Sequence, residues 1–263
     1  MKTKIIVVCV MLLGCLAGCA TNPVTGKSEL QILGPDWEAK AGREAAAEVD
    51  KEFASSNINP QLQSYVTSVG KKIAAVSHTP QLDFSYKIVD HNSVNAFALP
   101  GGYIFITTGM LKELTNESQL AAICAHETVH VTARHAAARI SEQTVVNAMF
   151  TLVSSEKTAG AVQVAKVVNN LAQLKFSRED EKEADQYGLD YLVKAGYSPY
   201  GMVETMEILN RQSGSRPIEF LSTHPNPENR IGLIQENIHN KGYKASGRVG
   251  AEDYQANVLN NLN

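Results

Sequence analysis

The chain has 263 residues, 44% of them hydrophobic and 19% charged, and a formal net charge of −3. That length suits one large domain or two small ones, and the composition excludes a disordered chain. With 24 Lys and Arg against 27 Asp and Glu, there is no cationic surplus to neutralise phosphates, which argues against nucleic acid as a partner.

Lys2 and Lys4 precede a nearly unbroken apolar run from Ile5 to Leu16, the plan of a secretory signal peptide. Gly14, Gly18 and Thr21-Asn22-Pro23 interrupt it short of the about 20 apolar residues that span a bilayer. Leu16-Ala17-Gly18-Cys19 resembles the bacterial lipobox, which implies cleavage before Cys19 and lipidation of that residue. Ala20, where an aspartate would favour the inner membrane, directs the expectation to the outer membrane, facing the periplasm. The expected organisation is therefore a signal peptide over 1–18, a lipidated tether over 19–35 carrying Pro23, Gly26, Gly34 and Pro35, and a folded domain over 36–263. Cys9 and Cys15 leave with the signal, so Cys124 stands alone and no internal disulfide is expected.

The spacing of Trp37, Ala41, Ala45, Val49 and Phe53 predicts a helix from Asp36 to about Ala54, and Asn59-Pro60 starts a second through about Ala75. Alternation over Asp83–Val89 predicts a strand, β-branched and aromatic residues predict another at Tyr103–Thr107, and Leu99-Pro100-Gly101-Gly102 between them reads as a turn. Asn116 with Gln119 has the form of a capping box, opening a helix whose apolar stripe includes Leu120, Ile123, Cys124 and Val131. A long helix is expected over 161–193, another from Ser198-Pro199, and a last one from Asn226-Pro227 to about Ile238. The sum is one mainly helical α+β domain with a small sheet.

Within the Asn116 helix, His126-Glu127-Thr128-Val129-His130 is an HExxH sequence. Residues four apart share a helix face, so both imidazoles can reach one ion while Glu127 approaches water held there. Zinc takes three protein ligands and keeps a fourth position for water. A third ligand has its richest source in Ser177–Asp185, where spacing alone leaves open whether Glu179 and Glu183 or Glu181 and Asp185 face inward. A stripe through Leu174, Glu181 and Asp185 favours Glu181.

These motifs resemble peptidase family M48, zinc metallopeptidases of the gluzincin group, and especially its bacterial envelope members. Asn22-Pro23-Val24-Thr25-Gly26-Lys27, Asn95 to Tyr103, His126 to His130 with Arg134-His135, and Ser177 to Asp185 all fit the family's pattern, so the likeness covers nearly the whole chain after residue 19. Val129 stands where many members carry glycine, with the ligand spacing intact. The resemblance implies that Glu181 is the third zinc ligand and that Asp185 accepts a ligand imidazole's N–H. It also implies a site histidine at His224, either stabilising an oxyanion or binding zinc in a resting state, and a substrate contact at Arg230, which follows at the family's usual distance. Residues 95–107 resemble the edge strand on which the family lays substrate, with Asn95, Ala96 and Phe97 as contacts. The implied activity is endopeptidase cleavage of unfolded or misassembled cell-envelope proteins, with outer-membrane assembly proteins as further partners. The competing expectation is a lipoprotein chaperone or assembly-binding module whose zinc is silent or structural.

Overall fold

The computed structural model describes residues 19–53, 58–154, 171–214, 218–225 and 229–262. The expected signal segment, residues 161–170 of the expected long helix, and Asn226-Pro227 lie outside the described residues.

Strands β1 (Cys19–Thr21) and β2 (Ser28–Leu30) form an antiparallel hairpin, followed by helices α1 (Pro35–Glu52) and α2 (Pro60–Ala74). Asn59 caps α2 by accepting a hydrogen bond from the Gln61 N–H, and Pro60 at the first helical position lacks the donor that would otherwise go unmet. Strands β3 (Ser85–Val89), β4 (Ala96–Leu99) and β5 (Tyr103–Thr107) make a sheet in the order β3-β5-β4, with β5 parallel to β3 and antiparallel to β4. The β4–β5 turn needs glycine: Gly101 and Gly102 have φ of +80° and +101°, which side chains other than glycine rarely adopt. Of the stretch 95–107 expected as an edge, β4 is the edge and β5 the centre of the sheet.

Beyond a short helix α3 (Thr108–Glu113), helix α4 (Glu117–Thr132) is buried along its whole length. It is the axis of the domain, wrapped by α2, the sheet and two later helices, α6 (Arg178–Lys194) and α7 (Tyr200–Ser213). Helix α5 (His135–Ser154) follows α4 after Arg134, whose φ of 61° lies in the left-handed region. Helices α8 (Glu219–Thr223), α9 (Arg230–Asn240) and α10 (Ala251–Asn257) complete the fold.

Three expectations need correction. The chain over 171–177 is a short 3-10 turn and coil, because Ser177 and Asp180 form a capping box that starts α6 afresh. The helix ending near 240 is not the last: α10 follows, held where the Tyr254 hydroxyl donates 2.7 Å to the Leu111 carbonyl. Residues 19–35, expected as a tether, pack on the domain through the β1–β2 hairpin and the segment after it, since Asn22 is fully buried, Val24 enters the main core, and the Ile32 N–H donates to Ser141 Oγ.

Candidate metal centre

Helices α4 and α6 supply most of the polar cluster. They approach closely at Gly188, where a Cβ would lie 3.3 Å from the His126 main-chain nitrogen, so a residue without a side chain permits the packing. The capping box fixes the start of α6 and thereby its rotation: Glu181 and Asp185 are buried, Glu183 half-buried and Glu179 exposed. The ambiguity among five acidic residues is thus resolved toward Glu181 and Asp185.

His126 Nε2 lies 3.1 Å from His130 Nε2, 3.3 Å from His224 Nδ1 and 3.4 Å from Glu181 Oε2. Glu181 Oε1 is 3.4 Å from His130 Nε2 and 2.9 Å from His224 Nδ1. One atom from each of the four residues lies within 4.8 Å of the others. Ligand bonds of about 2.0–2.1 Å in a tetrahedron put ligand atoms about 3.3 Å apart, so the spacing suits a zinc-sized ion. Glu127 Oε1 and Oε2, Glu181 Oε2 and His224 Nε2 are buried without a hydrogen-bond partner among the described residues. Buried polar atoms in native folds are ordinarily paired, so the three unmet carboxylate oxygens of Glu127 and Glu181 fit a cation. Glu127, Glu181 and Asp185 face a single buried guanidinium, Arg230, which leaves the cluster with an excess of carboxylates.

The surrounding groups fix these side chains. Asp185 Oδ1 is 3.1 Å from His126 Nδ1, which turns His126 Nε2 toward the cluster. Arg230 donates from Nε to Asp185 Oδ2 at 2.6 Å and from Nη2 to Oδ1 at 2.7 Å, with Nη1 3.2 Å from Glu181 Oε2. Phe176 stacks on His130 with ring centroids 3.8 Å apart, and Phe220 on His224 at 4.3 Å. Burial pulls the His126 pKa down, but the Glu181 charge and the Asp185 contact carry it up to about 9; burial holds His130 well below the ordinary value. Burial raises the Glu127 carboxyl above its ordinary value, against the pull of His224 and His126. A carboxylate that takes a proton readily is the result.

The remaining expected site residues divide. His224 sits inside the cluster, with Nδ1 at the fourth corner and Nε2 3.6 Å from Glu127 Oε1. Arg230, expected at the substrate, is instead buried behind the cluster, because its nitrogens are committed to Asp185 and Glu181. Phe97, also expected as a contact, turns its ring into a second apolar cluster, 5.3 Å from Phe105. The Asn95 carbonyl accepts from the Thr107 N–H. By the alternation of an antiparallel pair, residues 95, 97 and 99 then direct their main-chain groups into the sheet, and Ala96 and Ala98 direct theirs away from β5, on a side where both residues are buried. Cys19 is exposed at the start of β1. His135, which sequence spacing does not mark as a site residue, has its Nδ1 2.9 Å from His130 Nδ1. Its position five residues past His130 is off the helical period; the left-handed turn at Arg134 brings it back, and no spacing rule anticipates that.

A family model described as Peptidase family M48 matches residues 60–238, more than half of the chain. The chain belongs to that family. Zinc is the metal of this peptidase family, and the four converging residues are suited to hold it. Among curated relatives, a beta-barrel assembly-enhancing protease of Yersinia pestis is 29% identical over 242 residues, covering 80% of this chain and 49% of that protein. The protein of the same name from Escherichia coli is 32% identical over 185 residues, covering 66% of this chain and 38% of its own length. A mitochondrial metalloendopeptidase of Schizosaccharomyces pombe is 31% identical over 219 residues, covering 81% and 65%. The chain thus spans about half or less of the two bacterial relatives.

Proposed function

We propose that this family M48 member is a zinc-dependent endopeptidase that hydrolyses internal peptide bonds of unfolded or misassembled cell-envelope proteins. The observation that carries the reading is the convergence of His126, His130 and Glu181 at zinc-ligand spacing beside a buried Glu127 that accepts no hydrogen bond among the described residues. His126, His130 and Glu181 would hold zinc, which would supply Lewis acidity toward the scissile carbonyl and lower the pKa of water. Glu127 takes the proton of the attacking water on a carboxylate oxygen and returns it to the leaving amine. Asp185 holds His126 Nε2 toward the centre, and Arg230 holds Asp185. Pairing of an extended substrate with the outward main-chain groups of Ala96 and Ala98 requires the segments that cover β4 to move aside, because both residues are buried.

His224 fits the resting-state ligand better than the oxyanion donor, because Nδ1 already points at the cluster and a site closed by four protein ligands has no room for water. On this reading, cleavage requires His224 to leave the cluster. A chaperone with a structural zinc is less favoured, since such a site does not require an unpaired carboxylate beside the ligands.

The envelope location, the assembly partners and the anchor belong to the same proposal. Residues 1–18 act as signal peptide, Cys19 carries lipid and residues 36–263 form the peptidase domain; the names of the bacterial relatives support a role beside β-barrel assembly. No helix among the described residues is long and apolar enough to cross a membrane. Replacing Cys19 with Ser should move the protein from the membrane to the soluble fraction, and retention at the membrane would contradict the anchor. For the activity, chelator treatment should abolish cleavage of an unfolded protein such as casein and zinc should restore it; chelator-resistant cleavage would contradict the proposal.

A further inference from the structure

One polar relay leaves the metal centre on the side opposite Asp185. His130 Nδ1 is 2.9 Å from His135 Nδ1, and His135 Nε2 is 3.4 Å from Glu183 Oε2. On its other side Glu183 meets the β1–β2 hairpin: Lys27 Nζ donates to Oε1 at 3.0 Å, and Asn22 Nδ2 reaches Oε2 at 3.4 Å. Asn22 also builds the hairpin, its Oδ1 accepting from the Val24 and Thr25 N–H groups and its Nδ2 donating to Glu29 Oε1. His135 is buried, Glu183 half-buried and Lys27 exposed, so the relay runs from solvent to the centre through three elements distant in sequence.

We infer that the Asn22–Lys27 hairpin is a positioning element for the metal centre, acting through Glu183 and His135 on His130. The inference rests on the zinc site proposed above and adds the residues that set one ligand's orientation. For His130 to offer Nε2 to an ion as a neutral imidazole, its proton must sit on Nδ1. The acceptor there is His135 Nδ1, which requires the His135 proton on Nε2, directed at Glu183. Glu183 is acceptor-only and completes the sequence, and Lys27 and Asn22 hold its two oxygens in place. His126 has Asp185 for this role, and no carboxylate touches His130 Nδ1 directly among the described residues. The hairpin that begins at Cys19 therefore shares in holding a ligand on α4.

The test is the zinc dissociation constant of the metal-free full chain, measured by competition with a chromophoric chelator, alongside the metal-free melting temperature. Glu183→Ala should weaken zinc binding about 10- to 100-fold, the usual loss when a partner behind a ligand is removed. Glu183→Gln keeps an oxygen for His135 and should recover most of that affinity, which a merely structural role would not predict. Lys27→Met combined with Asn22→Ala should weaken zinc about fivefold in the wild-type background and add nothing to Glu183→Ala. Unchanged affinity in a folded Glu183→Ala chain, or equal losses for Ala and Gln, would overturn the relay. Hairpin changes that are silent, or that add fully to Glu183→Ala, would overturn the hairpin's part. A wild-type chain that binds no zinc would instead overturn the site itself.

Discussion

Replacing Arg230 with Met tests whether the centre is held by compensation of buried charge. Arg230 is 2% exposed and makes two short hydrogen bonds to Asp185 and an ion contact to Glu181, both of them buried. Its charge overrides burial and keeps the Asp185 carboxyl below its ordinary value. Removing one partner of a buried pair leaves the other desolvated and unpaired, at a cost of about 3–5 kcal/mol. Met fills similar volume, so little of that loss comes from a cavity. Urea unfolding of the metal-free chain should show the loss at constant slope, with a smaller loss once zinc compensates Glu181. Adding Asp185→Asn removes the stranded charge, and the double variant should lose less than the sum of the two single variants. A loss no larger than that of Arg211→Met at an exposed position, about 0.5 kcal/mol, or simple additivity with Asp185→Asn, would refute the reasoning.

Two further outcomes follow from the same geometry. Glu117, at the start of α4, is lowered to about 2 because hydrogen bonds from Arg248, Tyr197 and Tyr65 outweigh its burial. A depressed carboxylate stabilises the fold above its unfolded pKa, so stability should fall between about pH 4.5 and 2, by roughly 3 kcal/mol; Glu117→Gln should flatten that part of the profile, and an unchanged profile would exclude the group. His224→Ala should leave zinc bound by three ligands and raise cleavage of an unfolded protein, whereas a fall of about 100-fold or more would favour oxyanion stabilisation.

The chemistry was more legible in the sequence than the framework around it. His126 and His130 are readable because a spacing of four is a property of any helix, and Asn116 announces that helix ten residues ahead. Asn116 accepts from the Gln119 N–H as expected, although the Gln119 side chain reaches the Thr115 N–H instead of the cap residue's own. Glu181 could be favoured but not fixed by periodicity, since the rotation of α6 is set by Ser177 and Asp180 and by the close approach at Gly188. That Ser-x-x-Asp cap was itself a readable signal, hidden by an apolar pattern that Leu171, Leu174 and Phe176 continue without being helical in the same run. Asn22-Pro23-Val24-Thr25-Gly26-Lys27 reads locally as part of a tether, and it is tertiary contacts, Val24 in the main core and Asn22 and Lys27 on Glu183, that make it part of the domain. Arg230 is expected at the substrate only through resemblance, and nothing local marks a guanidinium for burial; its carboxylate partners, Asp185 and Glu181, come from another helix more than 40 residues away in sequence.

The most direct test of the account measures zinc content and casein cleavage together, in the wild-type chain and in Glu127→Gln. Glu127 touches no hydrogen-bonding partner among the described residues, so its amide should leave the His126, His130 and Glu181 corner intact. One zinc per chain in both proteins, with cleavage in the wild type alone, is the predicted result. Equal cleavage by the two, or a wild-type chain without zinc, would contradict it.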